Sequence, residues 1–130
     1  SNYELVGHSD GDVIIHSLID AILGSQSKGD IGEYFPSTNK NYKNIPSKLL
    51  LNDIVKMLKF DLKIIKNIDV TVICQHIKLS KYKKLIKKSI SNLLECPIGK
   101  INVKAKTTDK IGIVGSSKAI ASWVTLLVQG

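Results

Sequence analysis

The apolar residues near the start of the chain recur at the spacing of a helix. Between Gly11 and Gly24 they fall three and four positions apart, which is typical of a helix that buries one face. Ser9 followed three residues later by Asp12 has the form of a capping box, so we expect the helix to begin near Gly11 and to end at Gly24. The residues predicted to face a core are Ile15, Leu18, Ile19, Ile22 and Leu23.

Polar residues form a second stripe along the same helix. Asp12, His16 and Asp20 stand four positions apart, so their side chains should share one face. A neutral imidazole between carboxylates is a good ligand for a divalent cation, because the acid can orient the ring and raise its basicity. Neither His8 nor His76 stands at a recognisable ligand spacing from His16. From these residues, a metal site and an ordinary polar helix face remain alternatives.

Two more amphipathic helices are predicted further along the chain. Ser47 can cap a helix that runs to about Phe60, and residues 81–95 predict a helix with a lysine-rich outer face. Both are interpreted as structural, although such a lysine face could also contact nucleic acid or a membrane. The stripes they would bury are Leu50, Leu51, Ile54, Val55 and Leu58, and then Tyr82, Leu85, Ile86, Ile90, Leu93 and Leu94.

Three segments have the composition or the alternation of strands. Residues 68–75 predict a central strand, and residues 100–106 and 117–128 predict two others. Residues 61–67 are interpreted as a polar connection, and residues 33–46 as a loop long enough to cover a substrate. We therefore expect one α+β domain over the 130 residues, with a single mixed sheet covered by about three helices.

Composition and charge narrow the class of ligand. The 19 basic residues are all lysines and the formal net charge is +8, so lysines, backbone amides or metal ions would have to hold any phosphate. Nucleic acid is the rival partner, but the lysines are spread along the chain and aromatic residues make up 5% of it. No apolar run approaches the roughly 20 residues that cross a bilayer, so we expect a soluble protein without a membrane partner. Cys74 and Cys96 are expected to be reduced, with a disulfide as the alternative.

The densest chemistry lies in one run, which reads G-H-S-D-G-D-V-x-x-H-x-x-x-D-A-x-L-G and then G-D-I-G-x-x-F-P. This run resembles the signature of the 2-C-methyl-D-erythritol 2,4-cyclodiphosphate synthase family of the non-mevalonate isoprenoid pathway. The likeness continues more weakly through residues 68–73 and 101–110 to the C-terminus. It implies the cyclodiphosphate-synthase-like fold, of the ferredoxin or chorismate-mutase-like type, and a homotrimer with active sites between neighbouring subunits.

The reaction implied by the resemblance is an intramolecular phosphoryl transfer. The 2-phosphate of 4-diphosphocytidyl-2-C-methyl-D-erythritol 2-phosphate attacks the β-phosphorus and expels CMP, which gives the cyclic diphosphate. The enzyme would be a phosphorus–oxygen lyase, its partner this small cytidine diphosphate substrate, and its cofactors Zn²⁺ and Mg²⁺ (or Mn²⁺).

The resemblance places zinc on His16 and magnesium on Asp109, which is a shorter version of the usual glutamate. In the family, a first strand carries an Asp-x-His pair that completes the zinc site, and this sequence contains no Asp-x-His. We therefore expect that the chain lacks its N-terminal strand. Asp12 and Asp20 are assigned structural or supporting roles.

The resemblance also implies where the substrate lies. His8 and Thr107 are the implied catalytic residues. His8 and Ser9 face the phosphate-bearing methylerythritol portion, Asp30 and Gly32 face the ribose, and Ile31 between them is also implied to bind substrate. The remaining implied substrate-binding residues are Phe35, Pro36, Ser37, Thr38 and Asn39 at the methylerythritol part, Cys74, Gln75, His76, Ile77, Leu79 and Ser80 at the cytosine base, Lys78, Lys106, Thr107, Thr108 and Asp109 at the diphosphate, and Ile113 and Ser116 at the turn before the last strand.

Several of these positions depart from the family's pattern. Ser37 and Asn39 stand where aspartates are common, and Lys106 stands where a threonine is usual, which makes the local charge more positive. Ser116 stands where the family often has an arginine, which bears on anion binding in a cavity between subunits.

Two other functions stay open at this point: a lysine-rich nucleic-acid-binding module, and a trimeric small-molecule-binding protein of the same architecture without catalysis. A plastid-type organelle, apicoplast or chloroplast stroma, is the expected compartment, with a transit peptide outside this chain.

Overall fold

The structure, a computed structural model, describes residues 8–36, 38, 45–74, 79–107 and 119–130. The elements in chain order are α1 (His8–Ser25), α2 (Ile31–Tyr34), α3 (Ser47–Met57), β1 (Ile65–Cys74), α4 (Leu79–Leu94), β2 (Ile101–Thr107) and β3 (Ala119–Val128). Short 3-10 turns at Leu62–Ile64 and Ile98–Lys100 lead into β1 and β2. Within this described part, no helix is long and apolar enough to cross a membrane.

The sheet is mixed and β1 lies at its centre. The strand order is β2-β1-β3, with β2 parallel and β3 antiparallel to β1. Parallel neighbours need a long crossover connection, and α4 supplies it between β1 and β2. The expected α+β class with a single mixed sheet is thus confirmed, and so is the central position of the strand that includes residues 68–74.

One apolar core lies between the helices and one face of the sheet. Alternate residues of β1, namely Ile68, Val70 and Val72, are fully buried there. α1 packs on β3 and α4 packs on β2, and their buried side chains join those of β1 in a single cluster. The residues predicted on the apolar stripe of α1 are all buried, and Ile14 joins them. Each Leu or Ile so buried contributes roughly 1.5–3 kcal/mol.

The helix caps differ from the prediction. α1 begins at His8, three residues before the expected start, so Ser9 lies within its first turn and is not its N-cap. Aspartates in a first turn are favoured by the positive end of the helix, which lets the helix extend upstream. Ser47 is the first residue of α3 rather than its cap, because its hydroxyl donates to Asp12 Oδ1 at 2.5 Å instead. Both capping predictions were therefore wrong.

Several other boundaries also shift. α3 ends at Met57 rather than near Phe60. Lys59 has a positive φ of 50°, which does not continue an α-helix. β1 begins at Ile65, within the expected polar connection, because Asp61 accepts a hydrogen bond from the Lys63 amide at 3.0 Å and starts the preceding 3-10 turn. α2 occupies the start of the segment expected to be a loop, and α4 begins two residues earlier than expected.

The second face of the sheet is open to solvent in the described part of one chain. Trp123 is 55% exposed and Leu127 is 61% exposed on this face. Asp69 lies on it too, with its carboxylate 2.9 Å from Lys104 Nζ and accepting from Asn102 Nδ2 at 3.0 Å. These hydrogen bonds, from Asn102 and then from Lys104, lower the pKa of Asp69 below its usual value.

Neither Cys74 nor Cys96 forms a disulfide, as expected, and both are buried. Burial raises the pKa of the Cys96 thiol, since desolvation disfavours the thiolate. A protonated, enclosed thiol is a poor nucleophile, so Cys96 is interpreted as part of the core.

Leu51→Ala should destabilise the protein far more than Leu49→Ala. Leu51 is 1% exposed and Leu49 is 52% exposed on the same helix, so the first substitution leaves a cavity and the second does not. We expect losses of about 2–5 kcal/mol for Leu51→Ala and below about 1 kcal/mol for Leu49→Ala. Urea unfolding of both variants measures the difference, and equal losses would contradict the packing described above.

Asp69→Asn should cost about 0.2–1 kcal/mol at neutral pH, since the ion pair is largely exposed. The folded-state pKa of Asp69 lies below the unfolded value. The carboxylate therefore stabilises the fold above the unfolded pKa of about 3.9, and this stability is lost as the pH falls through the folded pKa. The unfolding free energies of the two proteins should converge as the pH is lowered through the folded-state pKa of Asp69. A difference that stays the same from neutral pH down through that range would contradict the assignment.

Candidate active site

Two of the predicted binding segments meet at one end of the sheet. In the register of the strands, Cys74 pairs with Thr107 on one side and with Ala119 on the other. Because β1 and β2 are parallel, the chain leaves both strands at this same end, and β3 enters there. Lys106 and Thr107 are exposed at the end of β2. The segments expected at the cytosine base and at the diphosphate thus start from neighbouring positions.

Backbone amides at the start of α4 are candidate groups for holding an anion. Cys74 offers no side chain to a ligand, because its side chain is fully buried in the core. Leu79 and Ser80, which precede the helix predicted over residues 81–95, are the first residues of α4. The first amides of a helix lack partners within the helix, and they favour an anion. The arrangement suits a ligand that carries phosphate and is held by backbone groups.

The G-D-I-G segment forms a tight turn that leads into α2. Gly29 has a φ of 88°, a value that favours glycine. Asp30 is the N-cap of α2, and its Oδ1 accepts from the Glu33 amide at 3.1 Å. Asp30 and Gly32 are both exposed. An exposed carboxylate beside an accessible backbone can accept hydrogen bonds from the hydroxyl groups of a sugar, as the predicted ribose site requires.

The polar stripe of α1 is confirmed, since Asp12, His16 and Asp20 are all exposed. The two carboxylates hold neighbouring elements. Asp12 Oδ1 accepts from the Ser47 hydroxyl at the start of α3, and Asp20 Oδ1 accepts from the Ile31 amide at 2.7 Å. These contacts agree with the structural roles expected for both aspartates.

A zinc ion needs more ligands than this stripe offers. Within the described ranges, no group of three or more His, Cys, Asp or Glu side chains could hold a metal ion. The exposed imidazole of His16 has the chemistry of a zinc ligand, whereas Asp12 and Asp20 already accept hydrogen bonds from other elements. His16 therefore fits as one ligand, and the others would have to come from elsewhere.

The structure describes some of the other predicted site residues and not the rest. His8 and Ser9, expected before the helix, lie in the first turn of α1. Phe35 is half-buried and packs against the core, while Pro36 and Thr38 are exposed. Outside the described residues lie Ser37, Asn39, Gln75, His76, Ile77, Lys78, Thr108, Asp109, Ile113 and Ser116.

A hydrogen-bonded contact between α1 and β3 was not predicted from the sequence. Ser122 of β3 donates its hydroxyl to the Val13 carbonyl at 3.1 Å, and its oxygen lies 2.5 Å from the Ser17 hydroxyl. This pair fixes the half of α1 that carries His16 against the start of β3. The sequence signal is weak: a serine beside the apolar stripe of a helix, whose partner lies 105 residues away.

Comparison with known proteins gives a consistent result. The family model described as the YgbB family matches residues 1–129. A 2-C-methyl-D-erythritol 2,4-cyclodiphosphate synthase of Leptospira interrogans is 46% identical over 132 residues, which cover 99% of this chain and 80% of the relative.

Solved structures give the same likeness. The bifunctional IspDF of Campylobacter jejuni matches 92% of this chain and 32% of its own, with 39% identity and a TM-score of 0.74. IspF of Plasmodium falciparum, solved as a CDP complex, matches 96% of this chain and 76% of its own, with 37% identity and a TM-score of 0.63. The chain thus corresponds to about a third of the bifunctional protein and to most of the single-function ones.

Proposed function

We propose a site and a mechanism from the premise that this chain belongs to the YgbB family. The chain is an enzyme of isoprenoid precursor biosynthesis, a lyase that cyclises 4-diphosphocytidyl-2-C-methyl-D-erythritol 2-phosphate to 2-C-methyl-D-erythritol 2,4-cyclodiphosphate with release of CMP. The observation that best supports the site is the pairing of Cys74 with Thr107, which starts the base-binding and diphosphate-binding segments side by side. The enzymatic function is favoured over the nucleic-acid module and the non-catalytic binder.

The chemistry asks for alignment and charge neutralisation. An oxygen of the 2-phosphate forms a bond to the β-phosphorus, the bond from that phosphorus to the bridging oxygen breaks, and the electron pair leaves with CMP. Both reacting groups belong to one molecule, so holding them in line supplies much of the rate and no protein nucleophile is needed. Two anions must approach each other, so positive groups have to offset their charge.

We assign the roles of individual residues from the resemblance of the signature. We assign the Thr107 hydroxyl and His8 to the reacting phosphates, with the Lys106 ammonium supplying positive charge next to Thr107. The Asp30 carboxylate accepts hydrogen bonds from the ribose hydroxyls, and Gly32 lets the backbone approach them closely. The remaining residues that the signature implies, from Phe35 to Asn39, from Cys74 to Ser80, at Thr108 and at Ile113 and Ser116, complete the pocket.

The family uses divalent cations, and we assign their ligands as follows. His16 is one ligand of Zn²⁺, and Asp109 is a ligand of Mg²⁺ or Mn²⁺. When bound, such cations draw electron density from phosphate oxygens and offset their charge. The exposure of His16 between two carboxylates that hold other elements supports its assignment.

We also propose a homotrimer with active sites between subunits. The support is the solvent-open face of the sheet, where Trp123 and Leu127 are more than half exposed. Large apolar side chains grouped on one face mark an interaction surface. The G-D-I-G turn is tied to α1, while the base and diphosphate segments belong to the end of the sheet, so neighbouring copies could contribute different parts of one site.

For the compartment we propose a plastid-type organelle. The exclusive use of lysine among 19 basic residues is typical of an AT-rich genome and supports it, as does the likeness to a Plasmodium falciparum structure. The relative from Leptospira interrogans is bacterial.

His16→Ala should lower the rate of CMP release from the cytidine substrate and the zinc content together. Altering the outer-shell partners of a metal ligand typically lowers metal affinity or activity ~10–100-fold, so loss of the ligand itself should lower both by at least that much. A chelator should have the same effect on the unaltered protein. Plasma mass spectrometry of the full-length protein measures the zinc. His76→Ala is the matched control, since it also removes an imidazole and should leave the zinc content unchanged. Full turnover by His16→Ala would refute the zinc assignment.

Trp123→Lys should prevent assembly, because it puts a charge into the proposed interface. Light scattering after size exclusion should give three times the chain mass of 14.3 kDa for the unaltered chain and a lower mass for the variant. Leu49→Lys is the control, because Leu49 is similarly exposed, at 52%, on the helical side of the molecule. A monomeric unaltered chain, or a trimeric Trp123→Lys variant, would contradict the proposed interface.

A further inference from the structure

The Asp20 carboxylate holds a backbone amide inside the G-D-I-G turn. Asp20 lies on the outer face of α1, and its Oδ1 accepts from the Ile31 amide at 2.7 Å. That amide belongs to the peptide bond between Asp30 and Ile31, one residue before Gly32. A peptide unit is planar, so a strong hydrogen bond to its N–H restrains the orientation of the backbone on both sides. A carboxylate acceptor makes this bond stronger than a neutral one.

The turn has little else of its own to fix that orientation. α2 has four residues, and helices this short are unstable by themselves in water. Asp30 caps α2 through the Glu33 amide at 3.1 Å, which shapes the turn internally but does not attach it to the rest of the molecule. The Ile31 side chain packs partly against the core. Tyr34 and Phe35 also pack partly against the core. These side chains hold the turn to the folded body, and the Asp20 carboxylate adds a hydrogen bond at the Asp30–Ile31 peptide itself.

We propose that Asp20 is a positioning residue for the nucleotide. By holding the Asp30–Ile31 peptide, it aims the Asp30 carboxylate and the Gly32 backbone at the two ribose hydroxyls. The inference rests on the proposed function, which places Asp30 and Gly32 at the ribose. Asp20 itself contacts no substrate in this arrangement. Its contribution should therefore appear as selectivity for the ribose hydroxyls and not as a general loss of binding.

Two ligands that differ in those hydroxyls provide the test. Calorimetry on the full-length assembled protein compares CDP with 2′,3′-dideoxy-CDP. Asp20→Ala should weaken CDP binding about five- to tenfold, the scale of the net contribution of one intramolecular hydrogen bond, and should leave dideoxy-CDP binding within about twofold. In turnover, KM should rise while kcat stays within about twofold. Asp20→Asn keeps an acceptor oxygen and should restore CDP binding to within about twofold of the unaltered protein.

Two further variants separate this inference from its premise. Asp61→Ala removes an equivalent bond, from a carboxylate to the Lys63 amide at 3.0 Å in an exposed turn, and should leave the preference for CDP unchanged. Asp30→Ala should abolish that preference. If Asp30→Ala keeps the preference, the proposed ribose site is wrong and the role of Asp20 falls with it. If Asp30→Ala abolishes the preference but Asp20→Ala keeps it, or weakens both ligands equally, the inference about Asp20 alone is overturned.

Discussion

Burial of the apolar side of α1 against the sheet determines where several polar groups of the molecule can lie. Leu18, Ile19 and Ile22 are buried in the core, so residues four apart on the opposite side of the helix must face outward. Those residues are the aspartates that hold α3 and the G-D-I-G turn, with His16 between them. One helix therefore forms part of the core with one side and organises two neighbouring elements with the other.

Features that depend on a local repeat could be predicted from the sequence. The apolar spacing in α1 identified its buried residues because a helix repeats every 3.6 residues whatever packs against it. The β-branched run around Val70 likewise identified the central strand. What no local pattern contains is the partner of each strand. Cys74 pairs with Thr107 and with Ala119, which lie 33 and 45 positions further along the chain. These pairings follow from the topology of the sheet.

The capping prediction at Ser47 failed for a related reason. It considers only the amides nearest in sequence, but the Ser47 hydroxyl has its acceptor, Asp12, 35 residues away. Asp20 similarly finds the Ile31 amide eleven residues on. At such positions a tertiary contact competes with the local one and wins. Gly29 and Asp30 favour a turn locally, but the attachment of the G-D-I-G turn to α1 depends on where the helix ends in space.

The charge of the chain also explains why aspartates are useful near a substrate that carries phosphates. Lysine is a point charge on a flexible stem and imposes little orientation, so 19 lysines and no arginine can neutralise phosphate without aligning it. Alignment then has to come from backbone groups. Asp20 and Asp30 both accept from backbone amides, so they act on the geometry of the turn and not on phosphate. In a chain of net charge +8 the excess of lysines offsets the repulsion between these carboxylates and an anionic ligand. The lysines therefore attract the ligand electrostatically, while the aspartates fix the backbone geometry of the turn.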